Sequence, residues 1–174
     1  GKESFFGGSI SSNAISSVTG NGISLHSAGL NTVVINSNVL LGAAAETSNV
    51  GIYFENFYNL KITNNMISNY SKTIVAAPSS EKVYLLSIRG NTLVTYGNGK
   101  NNLEMSGNSF WYAEIAANIF GCSGEKCTAA TPAIMITKGA HYKMRIQDNT
   151  WSRYSTGISG DNATFDGSYV IGNI

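Results

Sequence analysis

Glu55, Glu104 and Asp161 are the carboxylates whose type and spacing fit acid–base work on a glycosidic bond. Each lies in or beside a short alternating segment: Gly51-Ile-Tyr-Phe54, Asn102-Leu-Glu-Met105 and Gly157-Ile-Ser-Gly160. Stacked as parallel strands, such segments put Glu55 and Glu104 two layers and two residues apart. Their backbones are then on the order of 11–12 Å from each other. Side chains leaning together reach the roughly 6.5–9.5 Å of an inverting carboxylate pair, and less easily the tighter retaining spacing. Asp161 and Glu104 stand at a similar separation on the other side. His26 falls one layer from Glu55, and Tyr53 precedes Glu55 by two residues, so both are candidates to hold a substrate there. Solvated surface carboxylates are the plain alternative.

A second group of candidates is basic and aromatic. Arg89 and Arg145 flank Glu114, which reads most simply as a surface ion-pair cluster of modest value; the sharper reading is a grip on an acidic sugar. Phe57, Tyr58, Tyr70, Tyr96, Phe110, Trp111, Tyr112, Tyr142, Tyr154 and Phe165 fall between the regular segments and are expected in loops. Sugars present C–H faces that stack on aromatic rings, and such rings also favour protein interfaces. Trp111 and Tyr112, in the dense run Phe110-Trp111-Tyr112, therefore suit a sugar platform and a subunit contact equally. No phosphate-cradling Gly-rich loop, nucleophile elbow or His-rich metal pattern is present, and no metal or cofactor is expected. His26 and His141 allow a Ser-His-Asp arrangement that no motif supports. Cys122 and Cys127 are too few for a closed zinc site; a local disulfide and two free thiols are both open.

What must position these residues is an internal repeat. The pattern is apolar, two residues, Asn, one residue, apolar. It runs Ile10-Ser-Ser-Asn13-Ala-Ile15, Ile35-Asn-Ser-Asn38-Val-Leu40, Ile62-Thr-Asn-Asn65-Met-Ile67, Ile88-Arg-Gly-Asn91-Thr-Leu93, Ile115-Ala-Ala-Asn118-Ile-Phe120 and Ile146-Gln-Asp-Asn149-Thr-Trp151, with Val170-Ile-Gly-Asn173-Ile174 as a partial copy. The asparagines are spaced by 25, 27, 26, 27, 31 and 24 residues, a period that signals stacked coils. With the alternating segments between them, each coil holds three short strands: one before the Asn, one just after it, and one on the far side of a loop. Strands pairing only with their equivalents above and below form parallel sheets with coils about 4.8 Å apart. The prediction is an all-β, right-handed, single-stranded parallel β-helix of about seven coils of about 26 residues each. The asparagines Asn13, Asn38, Asn65, Asn91, Asn118, Asn149 and Asn173 are structural, their side chains bonding to one another along the axis. Each is also expected to take the left-handed backbone of the turn between two sheets. The residues just after them, Val39, Met66 and Ile119, form an apolar outward column that suits packing against a loop or another subunit.

Composition agrees. Charged residues are only 12% of the 174, about half the usual share, while 20 Asn and 19 Gly favour turns and strands over helices. Residues 1–174 read as one domain, cut from a longer chain. A net charge of +1 gives no argument for nucleic acid or an anionic membrane as partner, and no apolar run approaches the length of a membrane-spanning helix.

The Ile-x-x-Asn-x-Ile coils, with Gly51-Ile-Tyr-Phe54 and Leu60-Lys-Ile-Thr-Asn-Asn-Met-Ile67 as the clearest copies, resemble the pectin-lyase-like superfamily of right-handed β-helices. The charge-poor, Asn-, Ser-, Gly- and Tyr-rich texture looks most like a phage tailspike. That resemblance implies a homotrimer on a virion surface, outside the cell, that recognises and often cleaves a bacterial capsule or O-antigen polysaccharide. A non-catalytic receptor-binding spike or shaft, and a secreted polysaccharide hydrolase or lyase, are the alternatives. No polygalacturonase-like Asp-Asp pair is present, nor a pectate lyase's Arg and calcium-binding Asp cluster, so no catalytic residue carries over from those enzymes.

Overall fold

The computed structural model describes residues 7–43, 48–78, 83–97, 101–107, 110–123 and 131–174. Among the described residues every regular element is a strand, and all the pairings are parallel between equivalent strands of successive coils. The chain is a parallel β-helix, consistent with the right-handed class.

The strands after each asparagine are Ala14–Val18, Val39–Gly42, Met66–Tyr70, Thr92–Tyr96, Ile119–Ser123 and Thr150–Trp151; they form a 6-stranded sheet. Ile15, Leu40, Ile67, Leu93, Phe120 and Trp151 face inward there as one column. The strands leading into the asparagines include Gly8–Ser11, Val83–Arg89, Phe110–Ala116, Met144–Gln147 and Tyr169–Ile171, joined by the second halves of Ile23–Asn36 and Val50–Thr63. Ile10, Ile35, Ile62, Ile88, Ile115, Ile146 and Val170 stack through all of them. The first halves of the same two long strands pair with Lys72–Ala76, Leu103–Ser106, Ile134–Thr137 and Ile158–Asp161, forming the far side. Because Ile23–Asn36 and Val50–Thr63 run through the corner, far-side and lead-in strands belong to one bent 11-stranded sheet. The corner is where the pairing of these two strands shifts register, between Leu25 and Leu30. The solenoid amounts to about five turns, fewer than the seven asparagine copies suggest. The stack thins toward the later copies: Thr150–Trp151, after the sixth asparagine, is only two residues long.

The asparagine ladder is continuous. Backbone N and Nδ2 of each ladder asparagine donate to Oδ1 of the next, from Asn13 to Asn173, at 2.9–3.0 Å. The second Nδ2 hydrogen goes to the carbonyl of an isoleucine in the preceding coil, as from Asn91 to Ile62 at 2.9 Å. Asn38, Asn65, Asn91, Asn118 and Asn149 are buried and fully bonded, which is the condition for tolerating polar groups inside an apolar stack.

Two expectations are corrected. The left-handed residue of the turn is not the asparagine but the residue before it: Ser12, Ser37, Asn64, Gly90, Ala117, Asp148 and Gly172, with φ between 53° and 65°. Reversing the chain one step early leaves the asparagine's backbone free to aim its amide down the axis. Nor are the aromatic residues in loops, Tyr154 excepted, which lies between strands as expected. Phe57, Tyr58, Phe110, Trp111 and Tyr112 lie within lead-in strands, which start several residues earlier than the apolar alternation suggests; Tyr70 and Tyr96 end strands after the asparagine, and Tyr142 and Phe165 lie in a small sheet of Ala140–Tyr142 and Thr164–Asp166. Phe57, Tyr70 and Phe110 point inward and belong to the core.

His141 also belongs to the core. It pairs with Phe165 across the small sheet Ala140–Tyr142/Thr164–Asp166, its ring 5.5 Å from both Phe110 and Phe165. Nε2 donates to the Lys138 carbonyl at 2.8 Å, and Nδ1 accepts the Phe110 N–H at 3.4 Å, which fixes the neutral tautomer. Burial pushes its pKa below the usual histidine value, only partly offset by the Lys138 carbonyl. A proton on Nδ1 would also face the Phe110 N–H. The unfolded chain therefore binds a proton that the folded chain refuses, and stability falls as pH drops below the unfolded value of about 6.5. Urea midpoints measured at about pH 7.5 and 5.5 are expected to fall in the native protein, and to fall less in His141→Phe, which keeps the ring stack and cannot titrate. Equal falls in both would remove His141 from the account.

Cys122 is disulfide-bonded; Cys127 lies outside the described residues.

Candidate functional site

Stacking repeats turns single residues into columns, and outward columns on and beside the lead-in sheet carry the chemistry. Tyr58, Tyr84, Trp111 and Tyr142 occupy the same position in four successive coils, each seven residues before its ladder asparagine. Tyr58 and Tyr84 stack at 5.2 Å and 12° between planes; Tyr84 to Trp111 is 5.9 Å and Trp111 to Tyr142 is 5.5 Å. The three tyrosines are exposed and Trp111 is half-buried, so the rings form an open aromatic rail parallel to the solenoid axis. Each step approximates the coil spacing.

Beside the rail lies an open groove of about 690 Å³, whose polar lining includes Lys61, Arg89, Tyr112, Glu114, Lys143 and Arg145. These too are products of register: Lys61, Ser87, Glu114 and Arg145 are successive partners across the sheet. Glu114 holds Arg89 at 3.4 Å and Arg145 at 3.9 Å, while Arg145 Nε donates to Gln147. Lys143 stands 5.3 Å over the Tyr112 ring and donates to the Tyr112 hydroxyl at 3.5 Å. Four cations against one carboxylate leave the groove positive. The pairs are half-exposed, so each exchanges readily with water or a ligand anion. Among the described residues Lys61 makes no ion pair.

The structure thus brings Trp111, Tyr112, Arg89 and Arg145 onto one face. The far side holds the other candidates. His26 Nδ1 lies 3.0 Å from Glu55 Oε1, and the Tyr53 hydroxyl donates to the same oxygen at 3.1 Å. This contact and burial raise the Tyr53 pKa above its ordinary value, burial being the larger cause. Glu104 is turned away from that group. Its partner in the adjacent coil is Val75, and its carboxylate reaches back to Lys72, three residues earlier, and to Asn101 at 3.2 Å. Glu55 sits on the opposite side of that row, two residues beyond Tyr53, the partner of Val75. Asp161 is exposed and accepts from Asn162 at 2.9 Å. The three carboxylates therefore have separate partners and lean in separate directions. Among the described residues no group of three His, Cys, Asp or Glu could hold a metal ion.

No family model, curated protein or solved structure matches this chain. The site is argued from its own geometry.

Reading the sequence missed Lys143 in the groove and Tyr84 on the rail. The signal for Tyr84 was present, an aromatic residue seven positions before each of four consecutive ladder asparagines. It was hidden because that position lies outside the Ile-x-x-Asn-x-Ile core.

Proposed function

We propose that this chain binds an anionic polysaccharide lengthwise on its lead-in sheet. The observation that carries the reading is the rail Tyr58–Tyr84–Trp111–Tyr142 running beside a groove rich in Lys and Arg. Sugar rings stack on the rail through their C–H faces, and carboxylates or other acidic substituents meet Lys61, Arg89, Lys143 and Arg145. A guanidinium suits this role because its planar fork matches a carboxylate. A rigid solenoid pre-organises the whole line of contacts, so little ordering entropy opposes binding. The setting that fits is the one the resemblance to phage tailspikes implies: an extracellular or virion-borne β-helix meeting a bacterial capsule or O-antigen. Recognition is favoured over cleavage of the glycan chain, because Glu104 is held by Lys72 and turned from Glu55.

The test is binding to a panel of acidic and neutral bacterial polysaccharides at low and high salt, with the mass of the protein followed by light scattering. Saturable binding to an acidic member, weakened by salt as screening requires, is expected. Binding to none, or equal, salt-insensitive binding to neutral glucans, would overturn the reading.

A further inference from the structure

The far side holds a second arrangement that no sequence motif announces. Ser24 and His26 are two residues apart on one strand, so both point outward on the same face. Ser24 Oγ is 3.2 Å from His26 Nε2, and His26 Nδ1 is 3.0 Å from Glu55 Oε1, which reaches in from the next coil. The Tyr53 hydroxyl anchors Glu55 at 3.1 Å, and the Tyr53 ring lies 5.2 Å from the imidazole. Asn21 Nδ2 donates to Ser24 Oγ at 3.1 Å, while its Oδ1 accepts the Val50 N–H at 3.3 Å, which fixes the way the amide points. Nucleophile, base, orienting carboxylate and a side-chain donor beside the nucleophile are thus in hydrogen-bond reach in series.

We propose that Ser24, His26 and Glu55 hydrolyse carboxylic esters. Ser24 Oγ attacks the ester carbonyl carbon while His26 Nε2 takes the hydroxyl proton. Glu55 holds the imidazole through Nδ1–H and stabilises its positive charge. Asn21 Nδ2 donates to the developing oxyanion. When the intermediate collapses, the bond to the alcohol oxygen breaks and that oxygen takes the proton from His26, leaving acyl-Ser24. Water then attacks the acyl carbon, giving its proton to His26; the carboxylic acid leaves, and the proton returns to Ser24. The sum is ester plus water to alcohol plus acid. Ser24 and His26 are exposed, so the site is open and suits a short acyl group on a large alcohol. The substrate class is an O-acetylated sugar, a choice that rests on the polysaccharide reading; the ester chemistry does not rest on it.

The experiment is 4-nitrophenyl acetate turnover by the whole chain, fluorophosphonate labelling mapped by peptide mass spectrometry, and acetate release from an O-acetylated acidic polysaccharide. Native protein is expected to turn over and to carry the label on Ser24. Ser24→Ala should lose the label, and Ser24→Ala and His26→Asn should each lose about 10²–10⁴-fold in rate. Glu55→Gln should lose at least about tenfold while unfolding at the native temperature, since all three sites lie on the surface. No label on Ser24, or Ser24→Ala as fast as native protein, overturns the proposal. Turnover of the small ester with no acetate released from any O-acetylated glycan overturns the substrate class. Ester turnover that survives alongside failed polysaccharide binding removes the binding reading and leaves the triad standing.

Discussion

Asn91→Ala is expected to lower the unfolding free energy by about 3–5 kcal/mol, a large share of the roughly 5–15 kcal/mol that holds a domain together. Asn91 Oδ1 accepts the backbone N–H and one Nδ2 hydrogen of Asn65, at 2.9 and 3.0 Å. Its own Nδ2 donates to the Ile62 carbonyl at 2.9 Å and to Asn118 Oδ1 at 3.0 Å. Truncation leaves a buried N–H and a buried carbonyl without their partners, at about 1–3 kcal/mol each, and a cavity in place of the amide. Asn13→Ala is the matched control. Asn13 is exposed at the first rung, and Asn38 Oδ1 would still accept the backbone N–H of residue 13. That substitution should cost about 1 kcal/mol or less. Urea denaturation followed by circular dichroism reads both. Equal losses would mean that the amide chain contributes no more inside the solenoid than at its end.

The second large effect is on binding. Tyr84→Ala with Trp111→Ala should weaken polysaccharide affinity by about 30–150-fold, since two stacked aromatic contacts of about 1–1.5 kcal/mol each are removed. Either change alone should cost roughly tenfold. Tyr96→Ala is the control: Tyr96 is equally exposed but ends the strand Thr92–Tyr96 in the other sheet, away from the rail. Titration calorimetry with the polysaccharide identified by the panel measures these affinities against that of native protein. A double variant that binds like native protein would move the site elsewhere on the solenoid.

Much of the fold was legible because the solenoid translates one period into three dimensions. Counting from the ladder asparagines places Ser9, Val34, Lys61, Ser87, Glu114, Arg145 and Tyr169 in one outward column, and the strands pair in that register. The contact of His26 with Glu55 follows instead from aligning the far-side segments, Ile23-Ser-Leu25 on Ile52-Tyr-Phe54. What was not legible depends on backbone reversal and on side-chain direction. The left-handed position is filled by Ser, Asn, Gly, Ala or Asp in different coils, so it has no compositional signature. Ala117 holds φ 54° there without the freedom of glycine, and Ser or Asp elsewhere gives no stronger hint. The lean of Glu104 toward Lys72 is set by a cation three residues out of register, which a column drawn straight across the coils does not contain. The Ser24–His26–Glu55 series joins a separation of two residues to one of 29, and only stacking makes them neighbours. The aromatic rail was hidden for the opposite reason: it is regular over four successive coils, but it lies outside the motif that defined the repeat.

The polysaccharide face can be examined at a single reporter. The chain has two tryptophans, Trp111 on the rail and Trp151 in the inward column of the other sheet. In Trp151→Phe only Trp111 emits, so titrating that variant with acidic bacterial polysaccharides while recording tryptophan emission observes the rail directly. A saturable change in Trp111 emission, with the same midpoint as calorimetric binding and lost in Tyr84→Ala, is the result the account predicts. Polysaccharide that binds by calorimetry while Trp111 emission stays constant would contradict it.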